Sequence, residues 1–158
     1  MKTGTFSVGV ISDTHGHLDP RVEKIFAGVD HILHAGDIGF ASIILELEMV
    51  APVTAVLGNC DSDIGFRLTE SKVLGAKKFL LHHIVNPRDL SETVADRIAR
   101  DQPDVVVFGH THKRYAETAG GILFFNPGYS GKPKPGADRS VAILHLEGKT
   151  IRHEFIEL

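Results

Sequence analysis

Tryptophan is absent from the 158-residue chain, and cysteine occurs once, as Cys60. A lone cysteine excludes an intrachain disulfide and makes a reducing, cytoplasmic setting the expectation. Long apolar runs are missing too. None exceeds five residues, against the ~20 that a membrane-spanning helix needs. Met1 to Thr5 lead straight into an apolar strand pattern, with no signal-peptide pattern. No Lys/Arg run exceeds two residues, and the net charge is −3. A polybasic membrane patch and a dedicated nucleic-acid groove are therefore not expected. Hydrophobic residues at 42% and charged residues at 23% exclude disordered and collagen-like classes. The length suits one domain over residues 1–158. Two residue types are plentiful: ten histidines and sixteen glycines.

The chain alternates short apolar strands with helical stretches. Phe6 to Ser12, His31 to His34, Val53 to Leu57, Phe79 to Leu81 and Val105 to Phe108 read as buried strands. Leu18 to Ala27, Ala41 to Val50 and Ser91 to Arg100 read as helices, the last with Ser91 as N-cap. The last fifty residues change character. Arg114 to Thr118, Gly121 to Phe125, Ser140 to Leu146 and Thr150 to Glu157 read as antiparallel hairpins, and Leu68 to Leu74 as part of another. An α/β front half therefore leads into a β-rich back half. Two packed sheets flanked by helices are expected.

Each buried strand runs into the same kind of residue. The first ends in Asp13-Thr14-His15-Gly16-His17 and the second in Gly36-Asp37. The third ends in Gly58-Asn59-Cys60-Asp61, the fourth in His82-His83 and the fifth in Gly109-His110-Thr111-His112. The intervals from Asp13 through Asp37, Asn59 and His82 to His110 are 24, 22, 23 and 28 residues. Consecutive βα units of that length return each group to one sheet edge, where ligands of open α/β sheets bind. Asp13, His15, Asp37, Asn59, one of His82 and His83, His110 and His112 make seven N/O donors. Seven are too many for one tetrahedral zinc site and suit two divalent ions sharing a carboxylate. The donor set fits Mn, Fe, Co, Ni or Zn, not Cu(I) or an iron–sulfur cluster. His31, His34, His145 and His153 lie within or beside strands and read as packed or surface imidazoles. Asp30 and Asp104, each just before a strand, read as structural residues at the opposite end of the sheet. Asp61 reads as a residue that orients a ligand or caps a helix.

In this order and spacing, Asp13-x-His15, Gly36-Asp37, Gly58-Asn59-Cys60-Asp61, His82 and Gly109-His110-Thr111-His112 resemble the calcineurin-like metallophosphoesterases. Asn126-Pro127-Gly128-Tyr129-Ser130 resembles a segment of that family's small prokaryotic phosphodiesterases. The resemblance implies an α/β fold, a four-layer α/β/β/α sandwich of two mixed sheets flanked by helices. It implies Asp13, His15 and His112 on one divalent ion, Asn59, His82 and His110 on a second, and Asp37 bridging them. It implies phosphodiester hydrolysis by a hydroxide held between the ions, with Asp37 and Asn59 as catalytic residues and Asn59, Cys60 and His17 at the substrate. His83 stands as a catalytic or outer group, and His83, His17 or bound water as the acid.

Cys60 stands where many family members have a histidine, which weakens leaving-group protonation and favours acidic leaving groups. His83-Ile84 replaces the Gly-His that the subgroup usually carries after its strand-end histidine. The expected partner is a small phosphoester, with homodimers frequent among relatives. A phosphomonoesterase or nucleotidase using the same site is the alternative, and a non-catalytic interaction scaffold the alternative from another class. A scaffold predicts lost ligands, and none is lost. A metallo-β-lactamase-type hydrolase would need a His-x-His-x-Asp-His run, which is absent.

Overall fold

The computed structural model describes residues 4–158. In chain order the elements are β1 (Thr5–Ile11), α1 (Arg21–Ile25), β2 (His31–His34), α2 (Ala41–Glu48), β3 (Val53–Ala55), β4 (Thr69–Leu74) and β5 (Lys77–His82). Then follow α3 (Glu92–Asp101), β6 (Val105–Val107), β7 (Tyr115–Ala119), β8 (Ile122–Asn126), β9 (Ser140–Glu147) and β10 (Thr150–Glu157). They form two five-stranded sheets, ordered β10-β9-β1-β2-β3 and β4-β5-β6-β8-β7. Each has a parallel core, β1-β2-β3 and β5-β6-β8, with antiparallel strands at its margins. Both sheets are therefore mixed, as expected.

Side-chain alternation builds the layers. Val8, Val10, Leu33 and Ala35 of the first sheet meet Phe79, Leu81, Val105 and Val107 of the second in a closed central core. The opposite face of the first sheet packs Ile11, Ile32 and Val141 against Val22 of α1 and Ile43, Ile44 and Leu47 of α2. The outer face of the second packs Leu80, Val106 and Phe124 against Val94 of α3. The order is thus helix, sheet, sheet, helix. Central strands buried on both faces read as continuous apolar runs because neither face meets water.

The first two expected helices are shorter in the structure. Pro20 sets the start of α1, and Leu18 stays in the preceding loop. Ser91 caps α3 as expected, its hydroxyl accepting from Val94 N at 3.3 Å, and Gln102 closes it in the left-handed region. The back-half strands do pair as hairpins, β7 with β8 and β9 with β10. The two hairpins are divided between the sheets, because β8 lies parallel to β6 while β9 lies antiparallel to β1. The consequence for function is that the carboxyl ends of β1, β2, β3, β5, β6 and β8 gather at one edge of the sandwich.

Candidate metal centre

The loops after β1, β2, β3, β5 and β6 each deliver one part of the cluster. Asp13 and Asp37 are buried, 0% and 3% exposed, and lie between the two sheets. Asp13 Oδ2 accepts from Ser12 Oγ at 2.6 Å and from His110 N–H at 3.1 Å. Asp37 Oδ1 accepts from Cys60 N–H at 2.9 Å. Burial pushes the Asp37 carboxyl up, but the Cys60 N–H and the nearby His83 and His15 outweigh it and hold the group below its ordinary range.

The other carboxylate oxygens face imidazoles. Asp37 Oδ2 is 3.2 Å from His83 Nε2 and 3.5 Å from His15 Nε2. Asp13 Oδ1 is 3.3 Å from His112 Nε2, 3.7 Å from His15 Nε2 and 3.8 Å from His83 Nε2. Asn59 Oδ1 lies 3.0 Å from His110 Nδ1. Among the described residues, three donor groups converge within 4.8 Å: Asp13, His15 and His112; Asp37, His83 and His110; His15, Asp37 and Cys60.

The structure places His83, not His82, in this cluster. The expected His82 points away, its Nδ1 2.8 Å from Thr69 Oγ1 across the β4–β5 pair. Period-two alternation is the reason. Phe79 and Leu81 face the central core and Leu80 faces α3, so the next inward position is 83. His83 Nδ1 lies 2.7 Å from Ala35 O and donates to it, which leaves the Nε2 lone pair free toward the carboxylates. At 3% exposure, that nitrogen is badly placed to protonate a departing group in solvent. His17 is in none of the converging groups; its backbone N–H donates to Thr14 O at 2.9 Å. Cys60 is exposed at the rim, 3.6 Å from Asn59 Nδ2, and the Asp37 charge pushes its thiol above the ordinary range.

The loops are strained into position. Asp13, His15, Asp37, His110 and His112 all take positive φ, between 45° and 71°. Each such residue costs about 1–2 kcal/mol and persists only where surrounding contacts over-determine it. Asp61 supplies such contacts, accepting from Ile38, Gly39 and Gly58 N–H and joining the Asp37 loop to the Asn59 loop. Two close approaches require glycine. A Cβ at Gly58 would sit 2.1 Å from Asp37 Oδ1, and one at Gly109 2.1 Å from Ser12 Oγ.

Two further supports hold the cluster, of which the sequence signalled only the second. His34, fully buried, accepts from Gly36 N–H at Nδ1, and its Nε2 lies 3.0 Å from Thr14 Oγ1. The Thr14 hydroxyl donates onward to Ile38 O, so His34 Nε2 carries the proton and the ring is neutral. Burial pushes its pKa down to about 3. The segment after β8 is the second support. Asn126 donates to Gly109 O at 3.0 Å, and Ser130 Oγ donates to Ser12 O at 2.7 Å, tying the His110 and Asp13 loops together. The Asn-Pro-Gly pattern was the only signal for it.

A divalent metal fits these donors. Asp13 Oδ1 and His83 Nε2 are buried with no hydrogen-bond partner, and both face the middle of the cluster. Such orphaned groups are costly unless a further ligand satisfies them. Two cavities flank the cluster. One of about 380 Å³ opens beside His112, Tyr129 and Lys134. The other, about 500 Å³, opens beside His110 and is walled by Ile84, Val85, Phe108 and Tyr115. No helix among the described residues is long and apolar enough to cross a membrane.

A calcineurin-like phosphoesterase superfamily domain matches residues 6–149. A probable metallophosphoesterase of Methanothermobacter thermautotrophicus is 33% identical over 157 residues, covering 94% of this chain and 91% of that protein. Phosphodiesterase YfcE of Escherichia coli K12 is 36% identical over 161 residues, covering 84% of each chain. The solved structure of an archaeal phosphodiesterase superposes with a TM-score of 0.76 at 27% identity, over 97% of this chain and all of that one.

Proposed function

The chain belongs to the calcineurin-like phosphoesterase superfamily, and on that premise we propose that it is a phosphodiesterase working with two divalent ions. Asp13, His15 and His112 would hold one ion, Asn59, His83 and His110 the other, and Asp37 both. The oxygen- and imidazole-rich set suits Mn, Fe, Co, Ni or Zn. When bound, such ions supply positive charge for phosphoryl oxygens and make a water acidic enough to attack near neutral pH.

The observation that carries the diester reading is the pair of cavities. A monoester needs room for one organic arm, whereas a diester must seat two. Here the Gly109–Arg114 stretch separates two spaces, with His110 lining one and His112 the other. The names of the bacterial and archaeal relatives favour the same chemistry.

The chain's own residues prepare the reaction. Ala35 O fixes the His83 tautomer, and the Cys60 N–H fixes Asp37. Asn59 Nδ2 stands at the exposed rim, where it can donate to a phosphoryl oxygen. In hydrolysis, water oxygen bonds to phosphorus, the bond to the departing oxygen breaks, and that oxygen takes a proton. Cys60 is a poor source, because its thiol is held protonated by Asp37. Acidic leaving groups, which depart with little help, are therefore favoured. A lone, exposed, unpaired thiol is in keeping with a reducing cytoplasm. Every expected donor type is present, which supports an enzyme over a non-catalytic scaffold.

The test is hydrolysis of bis-p-nitrophenyl phosphate against p-nitrophenyl phosphate by protein stripped of metal and reloaded with Mn²⁺, Co²⁺, Ni²⁺ or Zn²⁺. The diester is expected to turn over faster, and Asn59→Ala and His110→Ala to abolish both activities. Faster monoester turnover, or none with any metal, would overturn the reading.

A further inference from the structure

The two cavities differ in chemistry. The one beside His110 is walled by Ile84, Val85, Phe108 and Tyr115, the last two rings meeting edge to face at 5.7 Å. Lys113 and Arg114 stand between the two and line both; the one beside His112 adds Lys134, against a single carboxylate, Asp138. That cationic excess is local, since the chain as a whole carries −3.

The basic cavity is built. Lys134-Pro135-Gly136-Ala137 forms a β-turn, with Ala137 N–H donating to Lys134 O at 3.2 Å and Gly136 at φ 77°. Proline and glycine at its two central positions fix a type II geometry. The Lys134 ammonium sits 4.4 Å over the Tyr129 ring, and that ring stacks on His112 with centroids 4.7 Å apart. The Tyr129 hydroxyl donates to Lys132 O at 2.8 Å. Arg139 straps the segment from the other side, donating to Gly131 O at 2.7 Å and to Asp19 at 3.0 Å. A cation is thus held two ring contacts from a candidate metal ligand, on a segment braced at both ends.

We propose that this cavity is a subsite for a second phosphoryl group, carried on one arm of the diester while the other arm lies in the apolar cavity. The inference rests on the diesterase reading and adds the substrate class: nucleotide-like diesters bearing a further phosphate. Lys134, which lines this cavity and not the other, is the specificity-determining residue. Arg114 is partly engaged, with Glu157 at 3.8 Å and the Phe155 ring at 5.7 Å, and contributes field more than contact.

Two substrates that differ by one phosphate test this. Thymidine 5′-(p-nitrophenyl phosphate) and its 3′-phosphorylated counterpart release the same phenol. In the metal-loaded wild-type protein the 3′-phosphate is expected to raise kcat/KM about tenfold, the size of one charge-assisted contact. Lys134→Glu is expected to bring that ratio to one or below. Lys72→Glu, the same charge change on β4 far from the cluster, is expected to leave the ratio as in the wild type. Equal rates for the two substrates, or a ratio that survives Lys134→Glu, would overturn the subsite while the diesterase reading stands. No turnover of either substrate would overturn both.

Discussion

Aspartates at the two ends of the parallel strands have opposite fates. At the amino ends, Asp30 and Asp104 precede β2 and β6. Asp30 Oδ2 accepts from Ser7 N–H at 2.8 Å, and Asp104 Oδ2 from Lys78 N–H at 2.8 Å. Each stitches neighbouring strands on a relaxed backbone. At the carboxyl ends, Asp13 and Asp37 are more deeply buried, take positive φ and turn an oxygen toward imidazoles instead of backbone donors. Residue type alone does not separate a structural carboxylate from a chemical one. Strain together with unmet hydrogen-bonding capacity does.

Substitutions at each end should therefore act on different quantities. Asp37→Ala should give the largest effect, removing the carboxylate shared by two donor groups. A loss of about 10³-fold in diester turnover is expected, several kcal/mol of charge stabilisation. Steady-state kinetics at saturating metal checks it.

His34→Gln should cost less, roughly 10–100-fold, because His34 orients the Asp13 and Asp37 loops without touching substrate. It should also change the acid response. The His34 pKa falls from 6.5 to about 3 on folding, so the folded chain resists a proton that the unfolded chain accepts. Its contribution to stability is intact above about pH 6.5 and is lost as pH falls from there toward 3. Denaturation midpoints measured across that window should fall less steeply in His34→Gln than in the wild type. Parallel slopes would remove His34 from the account.

Asp104→Ala should be the mildest, about 1 kcal/mol or ~2–4 °C in melting temperature, with diester kcat unchanged. A large activity loss there would dissolve the contrast between the two ends.

Most of this contrast was legible in the sequence. Asp13, His15, Asp37, Asn59, His110 and His112 all follow apolar runs, and parallel strands had to bring them to one edge. Asp30 and Asp104 were legible as structural by the same rule. His82 was the expected ligand and His83 stands in its place, because strand alternation assigns a face only once one inward residue is known. With Phe79 and Leu81 facing the second sheet, position 83 follows. His34 was passed over as a packed imidazole, since sequence does not reveal that Thr14 and Gly36 converge on its two nitrogens. The division of the back-half hairpins between sheets also escaped notice, because hairpin signals are local and the β8–β6 and β9–β1 pairings are not. Each of the two cavities is walled by segments distant in the chain, which no local pattern brings together.

Everything proposed for the strand ends rests on the orphaned atoms there, Asp13 Oδ1 and His83 Nε2, being metal-binding atoms. Calorimetric titration of chelator-treated wild type, His83→Ala and His82→Ala with Mn²⁺ and Zn²⁺ tests it most directly. Two ions per chain are expected for the wild type and for His82→Ala, and loss of at least one in His83→Ala. Full binding by His83→Ala with loss in His82→Ala, or no binding by the wild type, would contradict it.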